Sequence, residues 1–359
     1  MRIAVLGGGN GSYAAAADLS EQGHEVRLWR RDAGAFAPVL ESQILQLTDH
    51  RGSRDIRLTL ATLSLAEALA GAELIVAPVP AFGQVELAQA MAGHLSDGQV
   101  VFLPPGSFGS YVMARTVRDA GSTAEVSFAE AGTLPYLTRK RGAAEIAVTT
   151  RATRLPAGVF PGRLAEHAFK IIRSAYPAVV PVEDALSAAL MNAGPIIHPP
   201  LIIMNAGPIE HFDHWDIHNE GTTPVIRRVT TALDEERIKL REMLGYPAPH
   251  FPLADHYESD RWMYGNLAHD KLVDSGHWRE RLDLSCHRYM REDVAYGLAF
   301  LDSVALWAGV PCPVARGLLR VASAMCGEDF TRSVRRLDAL GLDRLSRDAM
   351  ARFLLEGSS

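Results

Sequence analysis

Cysteine is scarce: 359 residues contain only Cys286, Cys312 and Cys326, an odd number with no CxxC or other metal-type spacing. That pattern argues against a disulfide framework and reads as reduced thiols serving as small core residues. Basic charge is also short, with 36 Lys and Arg against 42 Asp and Glu and a formal net charge of −6. A chain without basic excess has little with which to displace counterions from a phosphate backbone, so nucleic acid is not an expected partner. No apolar run stands out at the roughly 20 residues needed to span a bilayer, so no membrane partner is expected either. No basic, apolar, small-residue leader precedes the strand-like pattern opening at Arg2, and the expected location is cytoplasmic. Internal repeats and low-complexity tracts are missing as well.

What remains is an ordinary globular composition, 48% hydrophobic and 22% charged, in a chain long enough for two domains. The first half alternates short β-branched runs with helix-like stretches, the signature of βαβ units. Strands are expected at Arg2–Leu6, Glu25–Trp29, Leu74–Val79 and Val100–Leu103, with Glu125–Phe128 and Ile146–Thr149 completing one doubly wound, mostly parallel sheet. Helices fall at Ser12–Gln22, Leu65–Ala70 and Val85–His94. Beyond Tyr176–Pro181 the period changes to 3.6, and helices are expected at Asp184–Asn192, Pro199–Gly207, Pro224–Leu244, His287–Ala308 and Val314–Met325. The expected fold is an α/β Rossmann domain over residues 1–180 and an all-α domain over 181–359, with the active site in a cleft between them.

The first strand runs into Gly7-Gly8-Gly9-Asn10-Gly11-Ser12, which opens a helix rich in alanine. Gly7 permits the tight turn, Gly9 lets backbone approach a pyrophosphate, and Ser12 is small enough for close packing of helix on strand. The helix N-terminus supplies N–H groups and positive potential, so Gly7, Gly9, Asn10, Gly11 and Ser12 are the candidate dinucleotide ligands. Where an NAD-specific chain usually carries a carboxylate, the second strand ends in Arg30-Arg31-Asp32. Two guanidinium groups suit a 2′-phosphate and favour NADP(H) over NAD(H), although Asp32 keeps the NAD reading open. Pro80 and Phe82, after the strand at 74–79, are candidates for the nicotinamide side of the crevice.

In the second half, Asn192-Ala193-Gly194-Pro195-Ile196-Ile197-His198-Pro199-Pro200 is an apolar stretch carrying one amide and one imidazole. Histidine titrates near working pH and suits proton transfer, yet this segment alone reads equally well as a core histidine satisfied by a hydrogen bond. The stretch His287 to Val294 adds Arg288, able to fork onto a carboxylate, and Asp293, able to orient an imidazole.

Taken in order, GGGNGS at 7–12, EAGTLPYLTR at 130–139, NAGPIIHPP at 192–200, EGTTP at 220–224 and RYMREDVAYGL at 288–298 resemble the octopine/nopaline (opine) dehydrogenase family over nearly the whole chain. The resemblance implies an NAD(P)H-dependent oxidoreductase that reductively condenses a 2-oxo acid with the amino group of an amino acid or amine, or runs the reverse oxidation. It implies His198 as the acid/base residue, Asp293 as its orienting carboxylate, Arg288 as a substrate-carboxylate anchor and Asn192 as a positioning group. Its partners are those small molecules and, at most, a second copy of the chain as a homodimer.

Three other readings compete. His211, His214 and His218 have gaps of three and four and could bind a transition metal from one helix face, although the expectation is that no metal is bound. A ketopantoate reductase or hydroxyacid dehydrogenase would reduce C=O instead, but such enzymes rely on a lysine that the Asn192–His198 region lacks. A non-catalytic NADPH sensor would bind coenzyme without turnover.

Overall fold

The computed structural model describes residues 1–265 and 268–357. The chain divides into two compact units, one formed by Met1–Ala189 with the C-terminal segment from Leu354, the other by Leu190–Phe353.

The strands of the first unit are β1 (Arg2–Leu6), β2 (Glu25–Trp29), β3 (Ile44–Asp49), β4 (Gly52–Arg57), β5 (Leu60–Thr62), β6 (Leu74–Val76), β7 (Val100–Leu103), β8 (Ser127–Ala131), β9 (Tyr136–Lys140), β10 (Glu145–Arg151), β11 (Leu155–Phe160) and β12 (Val179–Pro181). Its helices are α1 (Asn10–Glu21), α2 (Ala37–Ser42), α3 (Leu65–Leu69), α4 (Gln84–Met91), α5 (Gly109–Asp119), α6 (Ala165–Ala175) and α7 (Ala185–Ala189). Eight strands form a sheet in the order β12-β11-β8-β7-β6-β1-β2-β5. All its pairs are parallel except β11 with β8. Strand order reverses at β1 and β6, so the turns after these two strands flank the crevice where open α/β sheets bind ligands.

Ile146–Thr149 does not complete that sheet. It lies in β10 of a separate four-stranded sheet ordered β4-β3-β10-β9. This second sheet packs on α1, which is therefore covered on both sides: Tyr13, Ala14, Ala15, Ala16, Ala17 and Leu19 are all buried. An alanine-rich helix suits that place, because small side chains let two layers approach one helix closely. The units also part at 189/190, where the sequence reading drew 180/181. At Gly158 of β11 a Cβ would overlap the Asp184 carbonyl, so glycine allows the chain entering α7 to lie directly on the sheet.

The second unit is helical: α8 (Gly194–Met204), α9 (Ala206–His211), α10 (Pro224–Met243), α11 (Ala254–Glu258), α12 (Ala268–Asp274), a π-helix (Tyr289–Leu298), α13 (Ala299–Ala308) and α14 (Pro313–Cys326); α15 (Arg347–Glu356) closes the chain. Thr223 caps α10 through its hydroxyl, with Pro224 at the first helical position. The expected helix Pro199–Gly207 starts earlier, at Gly194, and breaks at Asn205. One stretch that the sequence reading passed over, Ala185–Met204, is long and apolar enough to cross a membrane, but it comprises two helices and is 78% buried in the protein.

Candidate active site

Gly7 carries φ +114°, a conformation L side chains rarely adopt, and its N–H closes the turn on the Trp29 carbonyl at 2.9 Å. Ser12 is buried and donates its hydroxyl to the Leu6 carbonyl at 3.1 Å, so the small residue at the third fingerprint position ties α1 to β1. A Cβ at Gly11 would meet Leu134 at 2.6 Å and Pro78 at 3.0 Å, which explains glycine there by packing. At Gly9 a Cβ would enter open space, leaving backbone that a phosphate can approach closely. The Asn10 side chain accepts the Lys140 N–H at 3.0 Å and so fastens the turn to β9.

The two arginines after β2 separate. Arg30 lies along the turn so closely that a Cβ at Gly8 would overlap its Nε, and its Nη1 donates to the Tyr13 hydroxyl at 3.2 Å. Arg31 instead pairs with Glu86 of α4, both side chains being largely exposed. Pro80 precedes a short 3₁₀ turn, Ala81–Gly83, in which Phe82 is 54% exposed.

In the helical unit, His198 Nδ1 lies 2.7 Å from Asp293 Oδ2. Both side chains are largely shielded, at 19% and 9% exposure, so the pair sits in a low-dielectric setting. Burial pushes the Asp293 carboxyl up to about 7, with Arg288 pulling the other way. When ionised, the carboxylate can only accept, so the ring nitrogen facing it then carries the proton.

Local sequence explains how these groups meet. A Cβ at Gly194 would overlap Asp293 Oδ1, and one at Gly297 would overlap Pro195 Cγ. Glycines on each element therefore let α8 and the π-helix touch where the dyad forms. Pro199 and Pro200 lie inside α8, directly after His198, and deprive that turn of two N–H donors. The wider π-helical turn brings Tyr289 and Asp293, four residues apart, to the same ring: Tyr289 stacks on His198 with centroids 3.7 Å apart and planes 16° from parallel. Arg288 donates to Glu292 at 2.8 Å and keeps half its side chain exposed. Asn192 turns its oxygen to the Gly194 N–H at 3.1 Å, a backbone contact at the start of α8.

The histidines of EHFDHWDIH do not share a helix face. α9 ends at His211, His214 is exposed beyond it, and His218 is buried with its ring edge-on to His198 at 5.8 Å. Among the described residues, no three His, Cys, Asp or Glu side chains are grouped to hold a metal ion.

Residues 181–326 match the family described as NAD/NADP octopine/nopaline dehydrogenase, alpha-helical domain, and residues 2–123 match the NAD-dependent glycerol-3-phosphate dehydrogenase N-terminus. An opine dehydrogenase of Arthrobacter sp. (strain 1C) is 26% identical over 96% of each chain. The chain is thus similar to opine dehydrogenases along nearly its whole length. A solved octopine dehydrogenase, in complex with NADH and agmatine, has the same fold at TM-score 0.70 and 18% identity, covering 96% of this chain and 98% of its own. A yersinopine dehydrogenase with NADP+ bound aligns at TM-score 0.64 and 15% identity over 99% and 98%.

The opine dehydrogenase resemblance put forward His198 and Asp293, and the structure places them in contact. Sequence reasoning missed Tyr289 and Lys140. Tyr289 stood inside the quoted RYMREDVAYGL segment without a role. Lys140 follows Arg139, the last residue of the quoted EAGTLPYLTR, and only the fold of β9 over α1 brings it to the glycine turn.

Proposed function

We propose that this protein is an NAD(P)H-dependent opine dehydrogenase that joins a 2-oxo acid to the amino group of an amino acid or amine and reduces the resulting C=N bond to a secondary amine. The observation that carries the reading is the His198–Asp293 contact at 2.7 Å in a helical unit of this family. The coenzyme fits the turn at Gly7–Ser12, where positive φ, open space at Gly9 and the start of α1 provide what a pyrophosphate requires. When bound, it supplies hydride to the C=N carbon. Pro80 and Phe82 are assigned to its nicotinamide side.

The remaining steps belong to the protein. Asp293 holds Nδ1, so the ring meets substrate through Nε2. There it takes a proton as the amine adds to the oxo acid, returns one as water leaves, and holds the charge that develops. Tyr289, stacked flat on the imidazole, restrains its rotation. Arg288, half exposed and steadied by Glu292, anchors a substrate carboxylate. Asn192 acts as a positioning residue through the start of α8. Arg30 beside the turn favours NADP(H) over NAD(H), whereas Arg31 is engaged by Glu86.

His198→Ala tests the assignment. Turnover is expected to fall by about 10²- to 10⁴-fold, the usual range for a lost general acid/base. Coenzyme Kd, followed by nicotinamide fluorescence, should stay within about twofold, because the coenzyme turn and the imidazole belong to different units. A variant turning over at near wild-type rate would remove His198 from the mechanism.

A further inference from the structure

Lys140, the last residue of β9, points its ammonium back over the glycine turn. Its Nζ lies 3.4 Å from the Gly8 carbonyl and 3.6 Å above the centre of the Tyr13 ring. Tyr13 in turn accepts from Arg30, so one aromatic side chain carries a cation on its face and another at its hydroxyl. The closest carboxylate contact in this group is Asp32, a distant 3.5 Å from Arg30, and among the described residues no carboxylate lies within ion-pair distance of Lys140. Burial, and then the charge of Arg30, push the Lys140 ammonium down to about 8. Two cations share a partly desolvated spot with one loosely placed carboxylate, a charge imbalance that a bound anion would offset.

We propose that Lys140 and Arg30 form a two-cation clamp for the 2′-phosphate of the coenzyme, so that the second sheet, through β9, supplies half of the coenzyme specificity. The inference rests on the NADP(H) reading of Arg30 given above. The 2′-phosphate is the phosphate concerned because Arg30 follows β2, the strand whose end meets the adenosine ribose in this sheet arrangement. The cation–π contact with Tyr13 holds the ammonium in place before the ligand arrives. Gly8 is explained by the same arrangement, since any side chain there would displace Arg30.

The clamp makes binding depend on pH. The groups about Lys140 are Tyr13 from α1, with Arg30 and, beyond it, Asp32 from the segment after β2; its register partner on β10 is the uncharged Ile146, with Glu145 the next residue along. A phosphate monoester is almost fully dianionic above about pH 7. Between pH 7 and 9 the titrating partner is therefore the lysine, whose charge is lost as pH rises.

Calorimetry on the full chain, with NADPH, NADH, adenosine 2′,5′-bisphosphate and ADP as ligands, tests the clamp without turnover. Lys140→Met should weaken NADPH and the bisphosphate by about ten- to a hundredfold, the range for a lost charge-assisted bond, and leave NADH and ADP within about twofold. Lys140→Arg should keep the preference and remove the decline in NADPH affinity between pH 7 and 9. Equal weakening of NADPH and NADH by Lys140→Met, or no weakening of either, would overturn the clamp while leaving Arg30 its role. A wild-type protein that binds NADH as tightly as NADPH would overturn both the clamp and the NADP(H) reading.

Discussion

A carboxyl group held at about 7 is poised to change charge where the reaction runs, and Asp293 owes that position to burial at 6% exposure. Below that pH it takes up a proton and loses its ability to stabilise a charged His198 ring; above it, the carboxylate is restored. The rate at saturating substrates should therefore fall on the acid side with an apparent pKa near 7, a value that belongs to the pair rather than to either residue. Asp293→Asn should lower kcat by about 10²-fold or more and remove that acid limb. A pH–rate profile for the variant that keeps the wild-type shape would contradict the role. Residues legible in the sequence were those whose reason is local: Gly7 for its backbone, Ser12 for its size. Residues whose reason is a partner far along the chain were not. Asp293 stands 95 positions from His198; its chemistry made it a candidate, but its pairing with that ring was assigned through resemblance, and neither Lys140 nor Tyr289 carries any local mark.

Among the elements, the contact between α8 and the π-helix determines whether the dyad forms. Both faces are cut back to glycine at the crossing, Gly194 beneath Asp293 and Gly297 beneath Pro195. Gly194→Ala and Gly297→Ala should each destabilise the fold by about 1–3 kcal/mol through overpacking, read as a lower Tm by calorimetry. Gly194→Ala should also cost turnover disproportionately, because its new methyl displaces the carboxylate itself. Unchanged Tm in both variants would mean that the elements do not pack this closely. Most strands of the main sheet were legible because they are short apolar runs between turn signals. The second sheet was not: β4, GSRDIR, is polar and mostly exposed, and a half-exposed edge strand offers little hydrophobic pattern. The long helix expected from His287 is instead a π-helix followed by α13, a distinction of hydrogen-bond register to which side-chain periodicity is nearly blind.

At the scale of the whole molecule, the glycine turn at Gly7–Ser12 and the His198–Asp293 pair belong to separate compact units, which is why sequence composition could suggest two domains yet leave their limits to be found. The apolar Ala185–Met204 stretch shows the same limit, since burial inside a folded unit and insertion into lipid demand similar residues. In the proposed reaction, the substrate reduced is a C=N bond built from two molecules. NADPH oxidation should be followed with pyruvate, 2-oxoglutarate and oxaloacetate, each alone and each against a panel of amino acids, with products identified by mass. Oxidation is expected only when both partners are present, yielding a secondary amine that contains both carbon skeletons; an equal rate with the oxo acid alone, yielding a hydroxy acid, would overturn C=N reduction.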